Sequence, residues 1–468
     1  MKLLLLGTLF AGMLVQGASE FREGTVLVGF RATATEAAKA AVYRKIRAVE
    51  VQQTRTGLHV LRVAAGTELG AMHALRANAM VRFAELDIPH KATAGVIPSD
   101  PSFNQQWGLL NTGQAVNGFT GVAGNDIKAT TAWSMTTGSP AIVVALLDTG
   151  IQYTHPDLQT NVWSNPGTVS TCPVGSHGYN VLNGTCDPFD DENFWGGHGT
   201  FMAGVIGASG NSGAGVSGVN WTTSIMTVKW LDSQDQGFTS DLVTAMNWVV
   251  AAKQAGVNVR VVNNSFTSTT FSQAESDAID ALAANDILLV ASSGNSPLPV
   301  NLDITPKYPC SYKRPNTVCA TGSETNNTLW SASNYGASTV DVAAPAASIY
   351  STLRQNNYGF ISGTSMSTAY VSGEAALILS RTNMSTIALR AAIVNNVNTN
   401  PTLIGKTITG GVVDLCKAIA GCANAATAPP VNLTPPEIGG FIRIGSLVSA
   451  STGTWSGAPT NFSYQWTL

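Results

Sequence analysis

Gly363-Thr-Ser-Met-Ser367 stands just before a helix-patterned run from Tyr370 to Ser380. The glycine-led turn puts Ser365 at the junction of loop and helix. There its hydroxyl is open, and the unpaired N–H groups of a helix start favour negative charge. A serine so placed suits attack on a carbonyl, because that attack produces an oxyanion. Alone, the stretch reads equally well as a helix cap. Two other segments supply what such a serine lacks. Ala141-Ile-Val-Val-Ala-Leu-Leu-Asp148-Thr-Gly150 is an apolar strand that ends in a carboxylate. Gly196-Gly-His198-Gly-Thr200 sets a histidine between glycines before another helix pattern.

The order Asp148, His198, Ser365 is one of several that build the same catalytic geometry, and it is not the Ser, Asp, His order of α/β-hydrolases. An Asp-Thr-Gly also occurs in aspartic proteases, but those pair two such carboxylates and this chain has one. With the strand-end Asp, GHGT and GTSM all present, the chain resembles the subtilisin-like serine proteases over roughly residues 20–420. The resemblance implies a catalytic triad of Asp148, His198 and Ser365. Ala291-Ser-Ser-Gly-Asn295 looks like the segment whose Asn donates to the oxyanion, which assigns that role to Asn295. Substrate would lie as an added strand beside Asn264-Ser265-Phe266. Ser265, Phe266, Thr267 and Gly294 would then wall the substrate pocket. Side chains of Ser265-Phe-Thr-Ser268 replace two family glycines there, which implies a narrower pocket.

The same resemblance implies structural calcium. Asp157, in His155-Pro-Asp-Leu158, matches a family ligand position, and Asn211 opens a loop to Gly218 that matches a calcium loop. Ser212 departs from the family's second Asn. Asp187, Asp190 and Asp191 form an acidic cluster that reads as a second calcium site or as a solvated loop. Ala369 and Tyr370 replace a family proline and histidine beside the serine. Glu374 stands where the family has a small apolar residue, and it reads as a solvated edge of the helix.

Residues 20–91 pattern as strand Gly24–Phe30, helix Thr35–Val49, strand Leu58–Val63, helix Thr67–Asn78 and strand Val81–Ile88. This resembles the family's inhibitory prodomain, a small ferredoxin-like α+β unit. Residues 100–422 alternate apolar strands (Ile142–Leu147, Ser224–Lys229, Val259–Asn263, Ile287–Ala291) with helices (Ser240–Ala255, Gln273–Ala284). The expected fold is α/β, a mainly parallel sheet with helices on both faces and the site at the carboxyl ends of strands. Residues 423–436 read as a linker, and 437–468 as a partial Ig-like β module.

Met1 to Ser19 reads as a signal peptide, with Lys2, a short apolar run and then Gly17-Ala-Ser19. No apolar run is long enough to span a bilayer, so the expectation is a secreted monomer with no membrane partner. Six cysteines allow 15 pairings. Their positions suggest the local pairs Cys172 with Cys186, Cys310 with Cys319 and Cys416 with Cys422. The net charge of −3 divides unevenly. Residues 20–91 carry 11 Lys and Arg against 7 Asp and Glu, and residues 92–468 carry 13 against 21. An acidic body argues against nucleic acid and fits binding of the basic N-terminal unit. The reading is therefore a secreted, self-processing serine endopeptidase acting on proteins or peptides and inhibited by its own prodomain. The rival is a catalytically silent secreted binding protein on the same fold.

Overall fold

The unbroken apolar run Ile142–Leu147 needs cover on two faces, and the computed structural model provides it. The model describes residues 21–54, 57–87 and 95–422, and short strands beyond them. The chain divides into two units, residues 1–92 and 93–468.

In the first unit, strands β1 (Thr25–Phe30), β2 (Val49–Gln53), β3 (Leu58–Arg62) and β4 (Val81–Leu86) alternate with helices α1 (Glu36–Lys45) and α2 (Glu68–Arg76). The sheet order is β2-β3-β1-β4, with every neighbour antiparallel. This is the split βαβ arrangement of ferredoxin-like units. Val26, Val28, Leu61, Met72 and Leu75 fill its core. Strand β2 corrects the sequence reading, which continued α1 through Val49. The helix stops at Lys45, and Arg47 takes a left-handed φ of 53°. Strand β2 is mostly exposed, so it carries no apolar alternation to announce itself.

The second unit centres on a nine-stranded sheet. Its strands are β5 (Gly138–Asp148), β6 (Gly178–Asn180), β7 (Thr222–Lys229), β8 (Val259–Asn264), β9 (Leu288–Ser292), β10 (Thr317–Ser323), β11 (Val342–Pro345), β14 (Val397–Thr399) and β15 (Gly411–Val413). Between β11 and β14 lies a separate hairpin of β12 (Ile349–Leu353) and β13 (Asn357–Ile361). The order is β14-β15-β11-β10-β9-β8-β5-β7-β6, parallel except for the β14–β15 pair. Successive side chains of β5 point to opposite faces. Val144 and Leu146 meet helices α3 (His198–Gly207) and α6 (Thr364–Arg381) on one face. Val143, Ala145 and Leu147 meet α4 (Thr239–Gln254) and α5 (Gln273–Ala284) on the other.

Strand β5 lies between β7 and β8, so the strand order reverses at β5. A parallel sheet opens a crevice outside the carboxyl ends at such a reversal. Helix α6 runs through the interior, buried from Thr364 to Leu379. Three disulfides, Cys172–Cys186, Cys310–Cys319 and Cys416–Cys422, close short loops of the unit. The signal peptide (1–19) and the 423–436 linker lie outside the described residues, apart from strand Asn432–Thr434 in the linker. The Ig-like segment (437–468) does too, except for short strands at Ile438–Gly439, Ser449–Ala450 and Thr454–Trp455. Among the described residues, no helix is long and apolar enough to cross a membrane.

Ala369 and Tyr370 both face the core. A Cβ on Gly108 would stand 2.5 Å from the Tyr370 hydroxyl, so that glycine makes room for the larger ring. Glu374 corrects a second expectation: it is not a solvated edge but fully buried, and neither carboxyl oxygen has a partner. Burial pushes its carboxyl well above the ordinary range, and nearby Asp414 adds to the push. Folded Glu374 therefore holds its proton to higher pH than it does in the unfolded chain. Its cost is least below the unfolded value of about 4.3 and grows as pH rises toward the folded value. Glu374→Gln, made on a Ser365→Ala background to prevent self-digestion, should be more stable than its parent by a margin that widens from about pH 5 to about pH 8. At the upper end the gain should be about 1–3 kcal/mol. Urea midpoints at the two pH values measure it. A margin that stays flat would contradict the assignment.

Candidate active site

Asp148 ends β5 with no solvent exposure. Its Oδ1 accepts from the Thr149 N–H at 2.8 Å and lies 2.7 Å from His198 Nδ1. His198 is the first residue of α3, so its position depends on how that helix starts. Gly197 before it has φ 100°, which a side chain would resist. Gly199 after it must lack a side chain, since a Cβ there would come within 2.0 Å of the Gly150 carbonyl.

Two acidic residues build this turn. Buried Glu192 accepts from the backbone N–H groups of Phe194, Trp195, Gly197 (2.8 Å) and His198 (3.2 Å). It satisfies amides that no helical carbonyl can reach. Asp190 accepts from the Thr149 hydroxyl at 3.0 Å and from both the amide and hydroxyl of Thr200. Thr149 in turn accepts from the Gly199 N–H at 2.9 Å. The ring of bonds ties the end of β5 to the first turn of α3. Asp191 pairs with Lys229 Nζ at 2.7 Å, and that lysine also donates to the Thr149 and Leu231 carbonyls. The acidic cluster thus organises the loop. Among the described residues, no group of three or more His, Cys, Asp or Glu side chains could hold a metal.

Burial opposes charge on His198, but Asp148 outweighs it and, with Asp235 and Asp190, raises the ring to about 9. Ser365 stands in the first turn of α6, and its Oγ donates to the Ser265 carbonyl at 3.1 Å. The resting hydroxyl is therefore turned to the backbone after β8 and not to His198. Both side chains face one cavity of about 210 Å³, together with Ser265, Phe266 and Asn295. Catalytic hydrogen bonds commonly form only once substrate is bound. Asn295 Oδ1 accepts from the Thr364 N–H at 3.0 Å and hydroxyl at 2.8 Å. That fixes the amide and leaves Nδ2 as its free donor.

Of the four residues expected to wall the substrate pocket, Ser265 and Phe266 line this cavity, while Thr267 lines a neighbouring hollow. Phe266 leans edge-on against Trp230, with ring centroids 4.7 Å apart. Thr267 stands against Gly294, where a Cβ would come within 2.9 Å of the Thr267 hydroxyl. Gly294 also has φ 87°, so glycine is required there twice over.

The calcium expectation meets a different donor set. Asp157 Oδ2 accepts from the Val216 N–H and the Tyr358 hydroxyl, each at 2.9 Å. Its Oδ1 is buried without a partner. The Asn211 side-chain oxygen accepts from the Ser99 N–H at 3.1 Å. The amides of Asn211, Ser212 and Gly213 converge on the Asp100 carboxylate. Calcium needs about six to eight oxygens. One free oxygen under a loop that presents N–H groups does not fit that need. Burial, with Asp100 nearby, pushes the Asp157 carboxyl up.

Sequence reasoning reached Asp148, His198, Ser365 and Asn295, and the structure brings all four to the β5 crevice. It missed the Glu192 clamp and Asp235. The carboxylates before a glycine-flanked histidine were visible, but their role depends on amide directions that no motif records.

The subtilase family profile matches residues 139–411, and the fervidolysin N-terminal prodomain profile matches residues 13–87. A thermophilic serine proteinase of Bacillus sp. (strain AK1) is 30% identical over 375 residues, covering 79% of this chain and 81% of that protein. Thermitase of Thermoactinomyces vulgaris is 32% identical over 272 residues, covering 58% of this chain and 86% of its own. A solved protease structure from Pseudoalteromonas arctica PAMC 21717 aligns at TM-score 0.56 over 70% of this chain and 99% of that one. Its identity is 24%, a likeness of fold alone.

The His198 titration tests the site's electrostatics. In Ser365→Ala protein the ring should titrate well above its ordinary value of about 6.5, toward about 9. Asp148→Asn should bring the midpoint down. Histidine NMR shifts against pH measure both. A wild-type midpoint at or below the ordinary value would contradict the pairing.

Proposed function

The chain belongs to the subtilase family of serine endopeptidases, with a prodomain before the catalytic unit, and from that premise we propose how its own residues do the chemistry. Asp148, His198 and Ser365 form the triad. The observation that carries this is the 2.7 Å contact of buried Asp148 with His198 at a cavity that Ser365 also lines. Ser365 Oγ turns from the Ser265 carbonyl to His198, loses its proton to Nε2, and bonds to the scissile carbonyl carbon. Asp148 holds Nδ1–H, fixing the tautomer and stabilising the imidazolium. The raised His198 value reflects that stabilisation. The tetrahedral oxyanion takes hydrogen bonds from Asn295 Nδ2 and the Ser365 N–H at the start of α6. His198 then protonates the leaving amine, and water hydrolyses the acyl-enzyme by the same steps in reverse.

Substrate lies extended beside Asn264–Phe266, where the chain leaves the carboxyl end of β8. The basic N-terminal unit, residues 20–91, acts as intramolecular inhibitor of the acidic catalytic unit, residues 100–422, in a chain secreted by its leader. Structural calcium is common in this family. The donors around Asp157 and Asn211 do not form its cage here, and no step depends on it. A silent binding protein would be favoured by a broken triad, and each triad position holds its chemical group.

Ser365→Ala should abolish peptide hydrolysis, by about six orders of magnitude on the scale known for such triads. It should also leave the N-terminal unit uncut in a folded precursor. Casein hydrolysis and the intact mass of purified protein measure the two effects. Normal processing of the variant with no other protease present would contradict self-cleavage.

A further inference from the structure

Asp235 belongs to no motif, yet it lines the same cavity as His198, Ser265 and Ser365. It sits in the turn after β7 with a left-handed φ of 59°. Its Oδ1 is buried and has no hydrogen-bond partner. An unpaired carboxylate at a cavity wall is costly, and that cost falls when a cation arrives.

Among the cavity's lining residues, the one that can carry positive charge is His198, whose Nδ1 is engaged by Asp148. Asp235 also borders a second hollow of about 540 Å³. Two more carboxylates, Asp232 and Asp241, line that hollow, and no Lys or Arg does. Those two are occupied: Asp232 accepts from the Gln234 and Gln236 amides, and Asp241 from the Phe238 amide. Asp235 is the carboxylate left over. Burial, and Asp148, Glu192 and Asp190 beyond it, raise its carboxyl to about 6 although His198 acts the other way. It is thus mostly ionised at neutral pH.

We propose that Asp235 is a specificity determinant that selects substrates carrying a lysine or arginine close on the acyl side of the cut bond. Asp235 lines the cavity with Ser265 and Phe266, beside which the substrate lies in the triad reading. The inference rests on that reading. The ammonium or guanidinium pairs with the Asp235 carboxylate, and its stem lies along Leu231 and Phe266, which line both hollows with Asp235.

The test compares mature enzyme on paired peptides that differ only by Lys against norleucine at the second or third residue before the cut bond. The Lys peptide should have the higher kcat/KM by about five- to tenfold, shrinking with added salt. Asp235→Asn keeps the shape and tolerates the left-handed backbone. It should bring the ratio to about one while the norleucine peptide is still cleaved. Asp235→Gly should do the same. A wild-type ratio near one at both positions, or a ratio that survives both substitutions, would overturn the assignment. Should both substitutions slow the two peptides equally, Asp235 would act through His198 alone and the proposal would fail. If neither peptide is cut by wild type, the triad reading itself fails.

Discussion

Asp148 carries charge at the end of an apolar strand where no solvent reaches it. Such a charge is tolerable only when paired and hydrogen-bonded. Meeting that demand shapes the surroundings. His198 must present Nδ1 at 2.7 Å, so the first turn of α3 must begin beside β5. The turn can begin there because Glu192 collects its unpaired amides and Asp190 binds Thr149 to Thr200. Glycine at 199 lets the helix approach the Gly150 carbonyl. The sheet order then brings the exit of β8 and the start of α6 to the same crevice, delivering Ser265 and Ser365.

Much of this was legible in the sequence, for physical reasons. The apolar run of β5 announced a strand buried on both faces, and its terminal Asp announced a carboxyl end. His198 stood between glycines and Ser365 behind a glycine-led turn, each at a helix start, which is local chemistry and therefore visible locally. The parts that were not legible depend on distant partners. Strand β2 is exposed and borrows its structure from β3. The Glu192 clamp depends on which way Phe194, Trp195, Gly197 and His198 turn their amides. Glu374 looked like helix surface because the pattern of α6 could not show that the whole helix is interior. Asn211 and Asp157 matched calcium positions by sequence. The loop that Asn211 opens nevertheless presents N–H groups, which Asp100 takes.

Two features set this site apart from what motifs convey. Asn295 is held by the α6 start, through Thr364, so Asn295 and Ser365 share one support. A shift in that helix end would move both together. Asp235 and His198 line one cavity, and Asp235 is among the groups that raise the His198 ring.

The central claim is that Ser365 is a hydroxyl activated by His198 and Asp148. A fluorophosphonate probe reports this directly, since it reacts with an activated serine and leaves ordinary hydroxyls alone. Mature protein treated with the probe and digested should carry one phosphonate, on the peptide containing Ser365. Asp148→Asn should slow the labelling by several orders of magnitude. Absence of label, or label on another serine with Ser365 unmodified, would contradict the account.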